Sequence, residues 1–196
     1  EITTRLVGSE MCIRDRVITA LGADRPGIVN TITRHVSSCG CNIEDSRLAM
    51  LGEEFTFIML LSGTWNAITL IESTLPLKGA ELDLLIVMKR TTARPRPALP
   101  ATVWVQVEVP DSPHLIERFT ALFDSHQMNI AELVSRTQPG DEHAIPTLFI
   151  QITAHSPASQ DASNIEQAFK ALCTELHAQG SISVVDYSQH EQDGVE

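Results

Sequence analysis

The stretch DRPGIVNTITRHVSSCGCNI, residues 24–43, can be laid without a gap on DSPHLIERFTALFDSHQMNI, residues 111–130. Six positions are then identical, and they pair as Asp24/Asp111, Pro26/Pro113, Thr33/Thr120, Ser38/Ser125, Asn42/Asn129 and Ile43/Ile130. Four apolar positions also agree, with Ile28, Val29, Ile32 and Val36 opposite Leu115, Ile116, Phe119 and Phe123. Self-similarity at a fixed offset is the mark of an internal duplication. The chain is therefore predicted to contain two copies of one fold.

Each copy shows the same order of hydrophobic periods. A short apolar strand runs into an Asp-x-Pro turn, where proline suits the first turn of a helix. An amphipathic helix, an alternating hairpin, a second helix and a closing strand follow. The predicted strands are 17–21, 42–50, 55–61 and 82–88 in the first copy, and 103–107, 129–137, 147–154 and 182–187 in the second. The first helix of each copy follows the Asp-x-Pro turn, and the second helices are 65–75 and 161–178.

The order βαββαβ is typical of the ferredoxin-like fold, in which two right-handed crossovers share one antiparallel sheet. Both helices then cover the same face of the sheet. We expect an α+β protein with two such domains in tandem.

A proline-rich basic segment separates the two copies. KRTTARPRPALPA, residues 89–101, has three prolines and four basic residues and no hydrophobic period, so it is predicted to be an extended linker. The domains are then 17–88 and 102–190, followed by an acidic tail, 191–196. Residues 1–16 show no clear period, and VGSEMCIRDR within them resembles sequencing-adapter sequence carried into a reading frame. We set this doubtful leader aside, and whether it is native stays open.

Composition and charge exclude some classes of function. With 43% hydrophobic and 20% charged residues, the chain can bury a core. Its 25 acidic and 14 basic residues give a net charge of -11, which disfavours direct binding to nucleic acid. The second copy, from residue 102 onward, holds 14 acidic and 3 basic residues, so it is a candidate surface for a basic partner. No apolar stretch approaches the roughly 20 residues that a membrane helix needs, so no membrane association is expected.

The cysteines do not predict a metal site. The spacings of Cys12, Cys39, Cys41 and Cys173 match no tetrahedral metal box. We interpret these residues as small core hydrophobes in a reducing cytosol, and the expected localisation is cytoplasmic.

The sequence gives little support for catalysis. It has no Gly-x-Ser-x-Gly elbow, no phosphate loop, no Rossmann glycine run and no His-Glu-x-x-His helix. Glu44 and Asp45 are adjacent, so on a strand they point to opposite faces and cannot act together as acid and base. We therefore predict no catalytic residue, no cofactor and no enzyme activity.

The turn before the first helix has features of a small-ligand site. Gly27 leaves backbone N–H groups accessible at a helix N-terminus, which favours an anion such as a carboxylate. Asn42 can donate and accept hydrogen bonds at once, which suits a zwitterion. Asp24 could bind an ammonium group or cap the helix. The alternative is that Asp24, Pro26 and Gly27 only build the turn, and the residues alone leave that alternative open.

The corresponding turn of the second copy differs at one position. His114 stands where Gly27 stands in the first copy, and an imidazole there is expected to fill the space that a small ligand needs. Asp111, Pro113, His114 and Asn129 are therefore either a structural remnant or a different site.

The run ITALGADRPGIVNTITRHVSSCGCNIEDSRLAML, residues 18–51, resembles the first half of an ACT domain, a small-molecule-sensing module with βαββαβ order. The resemblance extends over both copies, from about residue 16 to residue 190. It implies binding of glycine or another small amino acid by the first copy. The residues implicated are Asp24, Arg25, Pro26, Gly27, Ile28 and Asn42.

The resemblance also implies a function in regulation. It suggests a protein that binds the LysR-type transcriptional activator of the glycine cleavage operon and inhibits it when glycine is low, with glycine relieving the inhibition. Two alternatives stay open: a stand-alone regulatory subunit of an amino-acid metabolic enzyme, and an assembly module with no ligand. Because an uncovered sheet face normally finds a partner, a homo-oligomer formed through the ACT sheets is a further expectation.

Overall fold

The computed structural model describes residues 14–91, 101–140, 145–156 and 161–186. The chain divides into two compact units, each built around a four-stranded antiparallel sheet with two helices. The order of elements is βαββαβ in both units, so the predicted α+β class and tandem ferredoxin-like fold are confirmed.

The first domain consists of β1 (Arg14–Ala23), α1 (Ile28–Ser38), β2 (Asn42–Leu51), β3 (Glu54–Gly63), α2 (Trp65–Glu81) and β4 (Leu85–Thr91). The second consists of β5 (Ala101–Pro110), α3 (Leu115–Ser125), β6 (Asn129–Gln138), β7 (Thr147–Ser156), α4 (Asp161–Glu175) and β8 (Gln179–Asp186). Helix α2 extends six residues beyond its predicted end and passes through Pro76. The extension is stabilised by burial of Leu75 and of Gly79, which packs against β4.

The strand order is β2-β3-β1-β4 in the first sheet and β6-β7-β5-β8 in the second. The core lies between each sheet and its two helices, as the alternation of strand and helix periods predicts. Its largest fully buried side chains include Ile18, Ile32, Phe55, Met59 and Ile68 in the first domain and Phe119, Phe123, Ile150 and Phe169 in the second.

The first sheet extends beyond the predicted domain at β1, a central strand, and at β4, an outer strand. Strand β1 begins at Arg14, so residues 14–16 of the presumed leader belong to the sheet. Strand β4 continues to Thr91, where it pairs with Asp15, because each added pair satisfies further backbone groups. Residues 1–13, 92–100 and 187–196, which include most of the linker and the whole acidic tail, lie outside the described residues.

Three of the four cysteines are free, buried thiols, as predicted for small core hydrophobes: Cys39, Cys41 and Cys173. Burial raises the pKa of the Cys41 and Cys173 thiols, which keeps them protonated. Cys12 lies outside the described residues. In the part of the chain that the structure describes, no three His, Cys, Asp or Glu side chains are grouped to hold a metal ion. No helix there is long and apolar enough to span a bilayer.

All four helices end in the same backbone motif, in which an amide beyond the helix bonds back to the last turn. The bonds are Cys41 N to Val36 O, Leu84 N to Gly79 O, Met128 N to Phe123 O, and Ala178 N to Cys173 O, at 2.8–3.3 Å. The residue preceding each amide is left-handed, but only Gly40 suits that conformation. Asp83, Gln127 and His177 adopt it with φ of 54–55°.

Replacing Gln127 with glycine is therefore expected to stabilise the second domain by about 0.5–1 kcal/mol. The left-handed conformation costs a residue with a Cβ about 1–2 kcal/mol, and the greater freedom of glycine in the unfolded chain offsets part of that gain. Urea unfolding should show a higher midpoint with an unchanged slope. Gly40→Gln is the reciprocal control and should destabilise the first domain by a similar amount. An unchanged midpoint for Gln127→Gly would show that this turn is not strained.

Candidate functional site

The turn between β1 and α1 is fixed by its backbone. The amide of Asp24 donates to the carbonyl of Glu53 in the β2–β3 hairpin at 3.3 Å. Gly27 is the N-cap of α1 and is left-handed, with φ 83°. A Cβ at Gly27 would meet nothing within 4 Å, so the backbone conformation, and not crowding, accounts for glycine here.

The N-terminus of α1 is open and polar. No side chain caps it, and its first turn contains no acidic residue. The alternative that Asp24 caps the helix is therefore wrong. The Asp24 carboxylate makes no hydrogen bond or ion pair with another described residue. The turn thus combines a carboxylate, which can bind a positive group, with helix amides that favour a negative one.

Two neighbouring residues of the motif hold this turn in place. The Arg25 guanidinium donates to the carbonyl of Leu82, the C-cap residue of α2, where a cation is favourable. The side chain of Ile28 is only 4% exposed and packs in the core, and its amide donates to the Arg25 carbonyl at 3.2 Å. Pro26 is exposed within the turn. Asp24 and Gly27 are thus the motif residues best placed to meet a ligand.

Asn42 lies at the other end of the domain. It is in register with Ser62, which pairs with Asp15 near the start of β1, whereas Asp24 follows the end of that strand. The 11-residue helix α1, about 16 Å long, separates Gly27 from Asn42. The structure does not bring these two predicted ligand residues together within one domain.

The Asn42 side chain belongs to a local network instead. Its Nδ2 donates to Oε1 of Glu44 at 2.9 Å, and the Ser62 hydroxyl donates to the same oxygen. Both hydrogen bonds hold the pKa of the exposed Glu44 carboxyl below its ordinary value of 4.5, and the bond from Ser62 contributes more than the bond from Asn42.

Ser62→Ala is expected to raise the pKa of Glu44 toward 4.5, because the larger of the two contributions is lost. A carboxyl with a lowered pKa stabilises the fold above its ordinary pKa, and this contribution is lost as pH falls through the folded value. The small contribution of Glu44 to the free energy of unfolding, which is lost at low pH, should therefore be smaller in the variant. Titration of the Glu44 carboxyl by NMR measures the change. An identical pKa in both proteins would rule out the Ser62 bond as its main cause.

Two exposed apolar side chains stand near the motif and were not predicted as site residues. Leu48 and Met50 are 49% and 48% exposed, and they pair with the buried Phe57 and Phe55 on the face that carries the helices. Both lie toward the hairpin end of β2, where Asp24 bonds to Glu53. In the sequence, Leu48 and Met50 appear only as alternating apolar residues of a strand, and that pattern by itself predicts burial.

In the corresponding turn of the second domain, polar side chains bond to neighbouring residues. His114 is left-handed like Gly27, but its imidazole is 77% exposed and bonds to Glu117 at 3.1 Å instead of filling the helix opening. The Asp111 amide donates to the Pro146 carbonyl at 2.7 Å, and its carboxylate accepts a 3.4 Å bond from Thr137. Because Thr137 stands where the first domain has Met50, Asp111 is engaged where Asp24 is free.

The described residues of the second domain line concavities of two kinds. One of about 450 Å³ lies between α3 and the start of β6 and includes Asn129; the carboxylates of Glu117 and Asp124 line it, which disfavours an anion. The other, of about 600 Å³, lies on the sheet face opposite the helices. Its lining combines the polar residues Gln106, Glu108, Arg136, Gln151, Gln179 and Ser181 with apolar residues that include Val134 and Phe149. None of these side chains was predicted as a site residue.

Comparisons with known proteins agree on one class. A family model described as an ACT domain matches residues 15–89. The chain is 87% identical over 180 residues to the glycine cleavage system transcriptional repressor of Escherichia coli (strain K12), an alignment that covers 91% of this chain and 95% of the relative. The protein of that name from Shigella flexneri matches with the same figures.

Solved structures match over nearly the same span. A crystal structure assigned as a glycine cleavage system transcriptional repressor has 40% identity and a TM-score of 0.67, covering 89% of this chain and 99% of its own. A protein of unknown function from Galdieria sulphuraria has 24% identity and a TM-score of 0.71, covering 88% and 99%. The second likeness concerns the fold alone.

Proposed function

The chain belongs to the family of the glycine cleavage system transcriptional repressor and carries its ACT domain, and we propose that it represses the glycine cleavage operon by binding the operon's LysR-type activator. Glycine bound to the first domain relieves this repression. One observation carries the glycine site: the N-terminus of α1 is uncapped and non-acidic beside the unpaired Asp24 carboxylate. In the second domain Glu117 adds a negative charge and Asp111 is engaged.

The proposed binding mode follows from the two charges of glycine. Its carboxylate accepts hydrogen bonds from amides of the first turn of α1, and its ammonium group binds Asp24. Arg25 and Ile28 hold the turn without touching the ligand. The role predicted for Asn42 stays a prediction, because α1 separates it from Gly27 in its own domain.

Asp24→Asn is expected to weaken glycine binding about tenfold or more, because a hydrogen bond to a charged group contributes roughly 1.5–3 kcal/mol. Asp111→Asn, at the matching position of the second domain, is the control and should leave the affinity unchanged. Isothermal titration calorimetry measures both variants. Equal affinities for wild type and Asp24→Asn would exclude Asp24 as the ammonium partner.

Relief of repression requires a difference in affinity. Glycine can release the activator only if it binds the free chain more tightly than the complex. The second domain, with 14 acidic and 3 basic residues from residue 102 onward, is the proposed surface for a basic region of the activator. A net charge of -11 supports contact with a protein and disfavours direct contact with DNA.

We propose further that the chain is not an enzyme and acts in the cytoplasm without a cofactor. Its sequence contains none of the nucleophile, phosphate-loop or metal-helix motifs that would supply chemistry. Affinity purification from the native host tests the class of partner. We expect recovery of a DNA-binding activator; recovery of a metabolic enzyme in its place would identify a regulatory subunit and overturn the proposal. Self-association through the sheets is also part of the proposed assembly.

A further inference from the structure

Two rows of side chains build the concavity of about 600 Å³ on the open face of the second sheet. In strand order β6-β7-β5-β8, one row is Arg136, Phe149, Glu108 and Gln179, and the other is Val134, Gln151, Gln106 and Ser181. Neighbours within a row are about 4.8 Å apart, and the two rows are about 6.8 Å apart. The volume lies within the range of small-molecule sites.

The polar groups of these rows are not used by the fold. None of their side chains forms a hydrogen bond or an ion pair with another residue that the structure describes. Gln106 and Gln151 are direct cross-strand partners, yet their amides do not bond to each other. Arg136 and Glu108 carry opposite charges, but Phe149 lies between them in the row. The concavity thus offers donors and acceptors around an aromatic ring.

The first domain provides an internal comparison. Superposing the two strand registers places five positions of this face in correspondence: Gln106, Glu108, Gln151, Gln179 and Ser181 match Thr19, Leu21, Ile58, Leu85 and Val87. The same sheet therefore forms in the first domain with apolar residues at four of these positions. The polar groups of the second domain are not needed for the fold, which indicates that they bind a ligand.

We propose that this concavity binds an adenine nucleoside, with the base stacked on Phe149. Proteins stack bases on aromatic rings and on guanidinium planes, and Arg136 is the cross-strand partner of Phe149. Gln151 follows Phe149 by two residues on the same face of β7, so its amide lies at the edge of a stacked base. A glutamine amide donates and accepts hydrogen bonds at once, which complements the amino group and ring nitrogens of adenine.

The ribose of the nucleoside lies over Glu108 in this arrangement. Glu108 pairs with Phe149 on the side away from Arg136, about 4.8 Å from the strand that carries the base. A carboxylate accepts hydrogen bonds from ribose hydroxyls, as acidic residues do in dinucleotide sites. Gln179 and Ser181 on β8 continue the polar surface beyond the sugar.

The charge of the second domain favours a nucleoside over a nucleotide. Within the concavity the charges of Arg136 and Glu108 cancel, and from residue 102 onward 14 acidic residues outnumber 3 basic ones. A phosphate group would add about two negative charges to this field. A neutral nucleoside avoids that repulsion. Because the glycine site is proposed in the first domain, this inference goes beyond the proposed function and does not depend on it.

Titration of the full chain with adenosine tests the proposal. Trp104 is 38% exposed on the same face of β5 as Gln106, two residues away, so its fluorescence in a Trp65→Phe background reports occupancy. We expect a saturable change with a dissociation constant on the order of 0.1 mM, from the size of the ligand, and a matching heat in isothermal titration calorimetry. Adenosine monophosphate should bind more weakly because of its charge. Uridine should also bind more weakly, because its smaller ring covers less of Phe149.

Two variants introduce the residues of the first domain. Gln151→Ile should weaken adenosine binding about tenfold, because a glutamine that reads a base contributes roughly that much. Glu108→Leu should weaken the binding of adenosine but not that of free adenine, because only the ribose contacts this carboxylate. Ile58→Gln, at the position of Gln151 in the first domain, is the matched control and should leave adenosine affinity unchanged.

The absence of both a fluorescence change and a binding heat at millimolar adenosine would overturn the proposal. Wild-type affinity in Gln151→Ile would overturn the placement of the base, and tighter binding of adenosine monophosphate than of adenosine would overturn the choice of a nucleoside. Calorimetry with glycine keeps the two sites apart. Gln151→Ile should bind glycine normally, and a wild-type chain that binds adenosine but not glycine would refute only the glycine site.

Discussion

Glu72→Ala is expected to destabilise the first domain by about 3–5 kcal/mol, because it leaves a buried charge without its partner. Arg16 is 2% exposed and donates from Nε to the carboxylate of Glu72. Its Nη1 donates to the Asp15 carbonyl at 3.1 Å, and its Nη2 is buried with no partner. Glu72 thus supplies the only negative charge bonded to this guanidinium among the described residues.

Urea unfolding followed by tryptophan fluorescence measures this effect. The chain has one tryptophan in each domain, so a Trp104→Phe background leaves Trp65 to report the first domain. Glu166→Ala is the matched control. Glu166 occupies the position of Glu72 in α4, but its i,i+4 pair with Lys170 is exposed and should contribute only about 0.3–0.5 kcal/mol.

A double variant distinguishes the lost partner from lost packing. Arg16→Val combined with Glu72→Leu should be close to wild type in stability, since apolar residues commonly replace a buried ion pair without loss. The second domain already has valine at this position: Val103 is fully buried. A loss below about 1 kcal/mol in Glu72→Ala alone would mean that water solvates Arg16 in place of Glu72.

Gly27→Trp is expected to weaken glycine binding at least 100-fold, in effect abolishing it. The indole would project from the N-cap of α1, over the amides that are proposed to bind the carboxylate. No side chain occupies this space in the wild type, since a Cβ at Gly27 has nothing within 4 Å. Calorimetry at saturating glycine should detect no binding heat.

Two controls accompany this variant. Tryptophan in the left-handed conformation costs about 1–2 kcal/mol, so circular dichroism and urea unfolding must first show a folded protein. His114→Trp makes the same change at the left-handed N-cap of α3 and should leave glycine affinity intact. Unchanged affinity in a folded Gly27→Trp variant would remove the site from this turn.

The duplication made most of the fold predictable from the sequence. Six identities in one ungapped alignment showed that the two turns are equivalent. The change between strand-like and helix-like hydrophobic periods predicted every strand and helix. The end of α2 was placed too early, at residue 75, where the regular spacing of apolar residues stops. Packing of Gly79 against Ile86 of β4 is a long-range effect that no local pattern shows.

The sequence could suggest candidate site residues one by one, but it could not predict their arrangement. Gly27 and Asn42 were expected to serve one ligand, yet they flank the two ends of α1, so its length keeps them apart. The contacts that distinguish the two domains join residues far apart in sequence. Arg25 bonds to Leu82, 57 positions away, and Thr137 reaches Asp111 across 26 positions.

The central proposal is that glycine in the first domain releases the activator. The most direct test is the dissociation constant between the full chain and the purified LysR-type activator, measured with and without millimolar glycine. We expect glycine to raise this constant by about 5- to 150-fold, and the activator to weaken glycine binding by the same factor. Gly27→Trp should bind the activator but lose the response. A dissociation constant that is the same with and without glycine would contradict the proposal.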